Sequence, residues 1–343
     1  MGADVAGKPT MRAIRLDAVG PPENLKVVMV PRPEPGDDDV LIRVELAGLI
    51  YADAEARRGT YSVPTKLPWF PGREVAGVVE RVGANVRGLL PGDRVAALVL
   101  TGGGYAEYAL ASTGSFRFPG GVATRAADII VLPGNVSAKQ ALVYLVNFRL
   151  AHLLVHGWTQ LRRGARVLIH GAAGGMGSML TQLAHKQGCE IFATCRTAEE
   201  AAFCRANGAA HCIDTTTADY VEAVAGLTKG EGVNVSFNGV GGDTVDRDPL
   251  VVAPFGEIHL YGYVAGKSAY HPFSVRKSIA LKTFSADDFF ATPHFEAATR
   301  AMHDWFATGP LLEVTKVFPL EEAAAAHRWL DEGRVIGKIA LAA

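Results

Sequence analysis

No stretch of this sequence approaches the roughly 18 consecutive apolar residues that a membrane-spanning helix needs, and Met1–Thr10 carries no charged segment followed by an apolar one. A cytoplasmic protein is expected. Lys and Arg total 34 against 35 Asp and Glu, a net charge of −1, so no surplus of cations or basic stripe is available for a nucleic-acid backbone. Only four cysteines occur, Cys189, Cys195, Cys204 and Cys212, and none makes a C-x-x-C pair. Buried thiols are expected rather than a disulfide framework. No metal site is expected either: the histidines, His170, His185 and His211 among them, read as scattered structural residues.

What the chain does hold is length and apolar content. Its 343 residues, 49% hydrophobic and 20% charged, suffice for two domains with cores of their own. The most informative stretch is Ala165–Arg196. There an apolar run, Val167-Leu168-Ile169, enters the turn Gly171-Ala172-Ala173-Gly174-Gly175-Met176-Gly177, and the helical pattern Met179, Leu180, Leu183, Ala184 follows. A second strand-like run, Glu190–Cys195, completes a βαβ nucleotide-binding half. Gly174 and Gly175 keep side chains away from a bound diphosphate, and Gly177 lets the new helix lie close to its strand. The free N–H groups and the dipole at the helix start then face the anion, with Ala173 and Met176 in the same turn.

The end of the second strand speaks to the kind of dinucleotide. A site for NADH places Asp or Glu there to accept bonds from ribose hydroxyls, but this chain reads Thr194-Cys195-Arg196-Thr197. A guanidinium with two hydroxyls beside it suits a 2′-phosphate, so NADPH is the expected cofactor. The alternative is that Arg196 is a solvated charge at a strand end.

In chain order, strands are expected at residues 12–18 and 40–47, then at 77–82, 94–100 and 105–110. The segment Leu49–Gly72 reads as a loop. Such frequent short strands suggest a β-rich module. A long helix is expected over Ser137–His156. Strands near 211–214, 233–240, 256–262 and 279–284 bring the nucleotide sheet to about six. Asn238-Gly239 and Tyr261-Gly262 stand at strand ends, where a doubly wound sheet takes its ligand, although turn chemistry explains Asn-Gly nearly as well. Beyond Pro293 a helix, a strand near Val314–Phe318, a helix over Leu320–Glu332 and a strand over Gly337–Leu341 are expected.

Six segments together resemble the medium-chain dehydrogenase/reductases, and more narrowly their zinc-independent quinone oxidoreductase (ζ-crystallin-like) branch. They are Gly48–Asp53, Arg57–Tyr61, Pro71–Val79, Val82-Gly83, Gly92–Val95 and His170–Gly177. The resemblance runs from Met11 through essentially the whole chain. It implies an α/β protein: a GroES-like β-barrel domain (1–140), a Rossmann doubly wound parallel sheet binding NADPH (141–285), and a C-terminal completion of the first domain (286–343). It places the cofactor in the cleft between domains and pairs subunits as homodimers through the edge strands of their Rossmann sheets, with Ile258–Gly262 and Ser278–Phe284 as candidates. Zinc-dependent members carry a ligand cysteine where this chain has Ile50 and a ligand histidine where it has Arg73. The branch commonly has Asn at the position of Ile50, a base on the helix where this chain has Ala198-Glu199-Glu200, and Tyr where it has Thr215.

What the resemblance implies chemically is hydride transfer from NADPH to a quinone or an α,β-unsaturated carbonyl, helped by hydrogen-bond donors in place of a metal. Tyr61 matches the tyrosine that donates a proton in related enoyl reductases. The competing role is a ring packed on the wall of the cleft. Tyr51 and Asp53 are second candidates, with Asp53 equally suited to cap a turn. Two other readings stay open: an enoyl-thioester or polyketide-type enoyl reductase, and a protein that binds NADPH with little turnover.

Overall fold

The computed structural model describes residues 9–117, 123–125, 127–159, 161–266, 268, 276–288, 290 and 292–343. The chain divides into two compact units, Met1–Val146 with His303–Ala343, and Asn147–Met302.

The first unit opens with β1 (Thr10–Leu16), paired antiparallel with β2 (Leu25–Pro31), a strand that the sequence reading did not include. After β3 (Asp39–Gly48) comes α1 (Tyr51–Arg58), inside the segment expected to be loop. Its start carries no sequence signal, because the N-cap residue Ile50 has no side chain that accepts a hydrogen bond; its end does, Gly59 adopting φ +81°. Next are β4 (Glu74–Val82), β5 (Arg94–Val99), β6 (Tyr108–Ser112), β7 (Ser115–Arg117), β8 (Ala123–Arg125) and β9 (Ala127–Val131). The helix expected over Ser137–His156 is interrupted. A capping box between Ser137 and Gln140 starts α2 (Ala138–Tyr144), the chain leaves the helix at 145–146 where the two units divide, and α3 (Asn147–His152) runs on into a π-helical turn at Leu153–Trp158.

The second unit alternates strand and helix: β10 (Arg166–Ile169), α4 (Gly175–Lys186), β11 (Glu190–Cys195), α5 (Ala198–Ala206), β12 (His211–Asp214), α6 (Tyr220–Leu227), β13 (Val233–Asn238), α7 (Asp243–Val251), β14 (Val252–Leu260) and β15 (Ala280–Thr283). All five pairings are parallel, in the order β12-β11-β10-β13-β14-β15, which is the doubly wound Rossmann arrangement of six strands. Near-continuous apolar runs build it, as covering on both faces requires: Val167, Leu168, Ile169, Ile191, Phe192 and Ala193 are all fully buried.

Within α8 (Pro293–Thr308) the chain passes back to the first unit, which it continues with β16 (Lys316–Pro319), α9 (Ala323–Asp331) and β17 (Ile339–Ala342). There β17 pairs antiparallel with β3, so the first and last parts of the sequence share one seven-stranded sheet, β16-β17-β3-β4-β5-β9 with β6 beside β3. Ile14, Leu16, Ile42, Val75, Phe318 and Leu341 pack in its core.

Candidate functional site

The turn between β10 and α4 is shaped by its glycines. A Cβ on Gly177 would lie 2.3 Å from the Gly171 carbonyl oxygen and 2.6 Å from Ala172 Cα, so only glycine lets the helix start this close to the strand. Gly171 itself sits at φ +60°. Gly174 is the N-cap, at φ −77° and ψ 176°, and no side chain caps the helix. Its N–H is satisfied by Gly171, at 2.9 Å, which leaves the N–H groups of Gly175, Met176 and Gly177 as the orphan donors of the first turn. A Cβ on Gly174 would meet only the Gly171 oxygen, at 3.3 Å, so this face of the turn is open. Ala173 is buried beneath it and Met176 half-buried beside it. The donors and the open face suit a diphosphate.

Thr194 and Arg196 stand differently from the arrangement expected at the end of β11. The Thr194 hydroxyl accepts the Gly171 N–H at 3.1 Å, and the Thr197 hydroxyl accepts the Glu200 N–H at 3.1 Å as the N-cap of α5. Both oxygens therefore brace the backbone. Arg196 is not solitary: Glu200 accepts its backbone N–H at 2.7 Å and its guanidinium at 2.9 Å. The signal for this was the T-x-x-E spacing Thr197–Glu200, a helix-start pattern that the sequence reading passed over.

Asn238, ending β13, uses its whole amide. Its oxygen accepts the N–H groups of Val240 and Gly241 at 3.1 and 3.0 Å, and its nitrogen donates to Thr244 and Asp248, each at 2.9 Å. Gly239 and Gly262 are there for close approach. A Cβ on Gly239 would be 2.4 Å from the Tyr261 ring, and one on Gly262 would be 2.5 Å from the Gly239 oxygen. Behind them lies Asp248 of α7, fully buried, which also binds His170 (2.8 Å), Ser236 (2.8 Å) and Tyr220 (3.1 Å). Burial works against its charge, yet His170 and the donors Asn238 and Ser236 hold the carboxyl below the usual range. Nothing in the sequence marks Asp248, because its partners come from three different parts of the fold: the end of β10, α6 and β13.

In the first unit, Tyr51 opens α1 and packs under the Arg58 guanidinium, 5.6 Å from the ring centre; burial raises its phenol pKa. Asp53 does not cap a turn. It is fully buried and accepts Arg73 Nη1 at 2.9 Å, the Arg73 backbone N–H at 3.3 Å and the Tyr105 hydroxyl at 3.3 Å. Burial pushes its carboxyl up, with Arg73 opposing. The Arg73 guanidinium lies 5.0 Å from the ring centre of Tyr61 and 5.1 Å from that of Trp69.

An H-x-x-x-H pair that the sequence reading overlooked, His152 and His156, lies at the junction of α3 and the π turn. The rings are 4.6 Å apart, and burial with the His156 charge pushes His152 down to about 4. No third ligand joins them: among the described residues no group of three or more His, Cys, Asp or Glu stands where it could hold a metal ion.

A doubly wound parallel sheet joined to a β-rich module defines an α/β class of two-unit proteins. Residues 36–120 match the family described as alcohol dehydrogenase GroES-like domain, and residues 175–307 the one described as zinc-binding dehydrogenase. A quinone oxidoreductase of Rattus norvegicus is 30% identical over 329 residues, covering 94% of each chain. A 2-haloacrylate reductase of a Burkholderia species is 29% identical over 337 residues, covering 94% of this chain and 96% of its own. The solved structure of a mycobacterial protein complexed with NADPH superposes with a TM-score of 0.85 at 29% identity, over 97% of this chain and 100% of the other. The chain belongs to the medium-chain dehydrogenase/reductase superfamily, in its quinone oxidoreductase branch, and is an oxidoreductase enzyme.

Ile50 offers no ligand atom, and Arg73 brings a permanent cation that already takes up Asp53.

Proposed function

We propose that this chain is an NADPH-dependent reductase of quinones or α,β-unsaturated carbonyls that works without a metal. The observation that carries the reading is the uncapped start of α4, where three N–H groups and an open glycine face await an anion. The NADPH held by the mycobacterial relative, and the names of the quinone and haloacrylate reductases, support it. Bound NADPH supplies a hydride.

The residues of this chain do the rest. The N–H groups of Gly175, Met176 and Gly177 bind the diphosphate, with Ala173 and Gly174 forming the floor of the turn. Arg196 reaches the 2′-phosphate while Thr194 fixes the strand end. Asn238-Gly239 and Tyr261-Gly262 shape the strand ends along which the cofactor lies. Tyr61 gives the proton that completes reduction, and Tyr51 is the second candidate.

All four cysteines are free thiols, which suits a reducing, cytoplasmic setting, and among the described residues no helix is long and apolar enough to cross a membrane. For the homodimer, β14 is interior to the sheet, so β15 is the edge that would pair; it exposes Leu281. Steady-state assays of NADPH oxidation with quinones and enones test the activity, and Tyr61→Phe tests the proton donor. Turnover is expected with at least one acceptor class and a loss of about 10²-fold or more is expected in the variant. Unchanged turnover would remove Tyr61 from the mechanism.

A further inference from the structure

Arg73 is placed to do more than neutralise Asp53. Its Nε donates to the Leu100 carbonyl at 3.3 Å and its Nη1 to Asp53, whereas Nη2 has no hydrogen-bond partner among the described residues. The residue is 8% exposed, and its guanidinium plane is flanked by Tyr61 and Trp69. Nη2 is not one of the buried unpartnered nitrogens, so it opens on accessible surface, where a bound molecule can accept from it. The two N–H bonds already made fix the plane, so Nη2 is aimed in advance.

We propose that Arg73 Nη2 is the donor to the carbonyl oxygen of the acceptor, and that the acceptor is a neutral conjugated carbonyl. The proposal rests on the reductase reading above and adds to it the group that takes up charge on the substrate. A hydride added at the β carbon breaks the C=C π bond, and that electron pair moves onto the carbonyl oxygen as an enolate. Protonation at the α carbon, from the Tyr61 phenol or from water, gives the saturated product as NADPH becomes NADP+. Arg73 loses no proton; its N–H strengthens its bond as the oxygen becomes negative, which is where a fixed donor accelerates a reaction. Asp53 decides the substrate charge. The pair Arg73–Asp53 is neutral overall, so it offers a directed N–H and not a net cation, and a substrate carboxylate gains little there.

The test compares the unmodified protein with Arg73→Met and Arg73→Lys, with Asp53→Asn/Arg73→Met as a further variant that leaves no buried charge unpaired. For neutral enones, kcat and kcat/KM are expected to fall together by about 10²–10³-fold in Arg73→Met and in the double variant, with KM and the NADPH Kd within about twofold of the unmodified values. Arg73→Lys retains part of the rate. The unmodified protein is expected to turn over an enone amide or ketone faster than the matching conjugated acid. Binding of para-nitrophenolate, whose oxygen stands in for the enolate, is read by its absorbance and needs no NADPH; it is expected to weaken about tenfold or more in Arg73→Met. A folded variant that keeps the enone rate, or that binds the phenolate as tightly as the unmodified protein, overturns the assignment. Phenolate binding that depends on Arg73, in a protein that oxidises no NADPH, would uphold Arg73 as the oxygen's partner and defeat the reductase reading instead.

Discussion

Glu200 holds Arg196 from two sides, accepting its backbone N–H at 2.7 Å and its guanidinium at 2.9 Å. Half of the Arg196 side chain is exposed, so the pair is a weak one that a phosphate can compete for. On the proposed reading, a 2′-phosphate brings about two negative charges beside that carboxylate. Glu200→Gln keeps the shape and removes the repulsion. NADPH Kd, read by fluorescence titration, is expected to fall about tenfold, equivalent to about 1.4 kcal/mol, with NADH nearly unchanged. An equal change for both coenzymes would show that Arg196 does not meet the 2′-phosphate.

The glycine turn separates folding from binding at two neighbouring positions. At Gly177 an added methyl group strikes backbone at 2.3 Å, so Gly177→Ala is expected to lose stability, by about 2 kcal/mol or more, in thermal or urea unfolding. At Gly174 the backbone already lies in a region that Ala adopts readily, and the methyl group would project from the open face. Gly174→Ala is therefore expected to unfold within about 0.5 kcal/mol of the unmodified protein while losing most NADPH affinity. Normal NADPH binding by Gly174→Ala would put the diphosphate elsewhere.

His327 of α9 sets an acid limit on stability. Neither ring nitrogen has a hydrogen-bond partner among the described residues, the residue is fully buried edge-on to Tyr105 at 5.8 Å, and burial, with Arg57 and Arg58 nearby, pushes its pKa down to about 3 from 6.5. The folded protein keeps the ring neutral while the unfolded chain protonates near 6.5. Its contribution is therefore whole above that pH and is lost as the pH falls toward 3, at up to about 1.4 kcal/mol per pH unit. His327→Leu removes two unsatisfied polar atoms and leaves the neighbouring Tyr105, Arg57 and Arg58 in place. Unfolding midpoints between pH 4 and 7 are expected to fall less steeply in this variant. An identical slope would mean that other groups govern the acid limb.

Much of this architecture was legible in the chain. The central strands β10 and β11 follow from apolar runs buried on both faces, and the start of α4 from glycines whose spacing allows close packing. Elements without local signals were not legible: α1 begins at Ile50, which cannot cap, and β2 was not distinguished from the approach to a proline-rich turn. The same holds for charge pairs made across the fold. Asp53 and Arg73 are 20 residues apart, and His170 and Asp248 are 78 apart. A sequence shows which residues bear charge, while tertiary packing decides which of them meet. Glu200 is the instructive case. Its helix-start spacing is readable in the chain, whereas its grip on Arg196 appears only in the folded structure.

A crystal structure of the protein with NADPH bound tests the central claim most directly. The diphosphate is expected on the N–H groups of Gly175, Met176 and Gly177, with the 2′-phosphate displacing Glu200 from the Arg196 guanidinium. A diphosphate lying away from Gly174–Gly177, or a zinc ion held by this chain, would contradict the account.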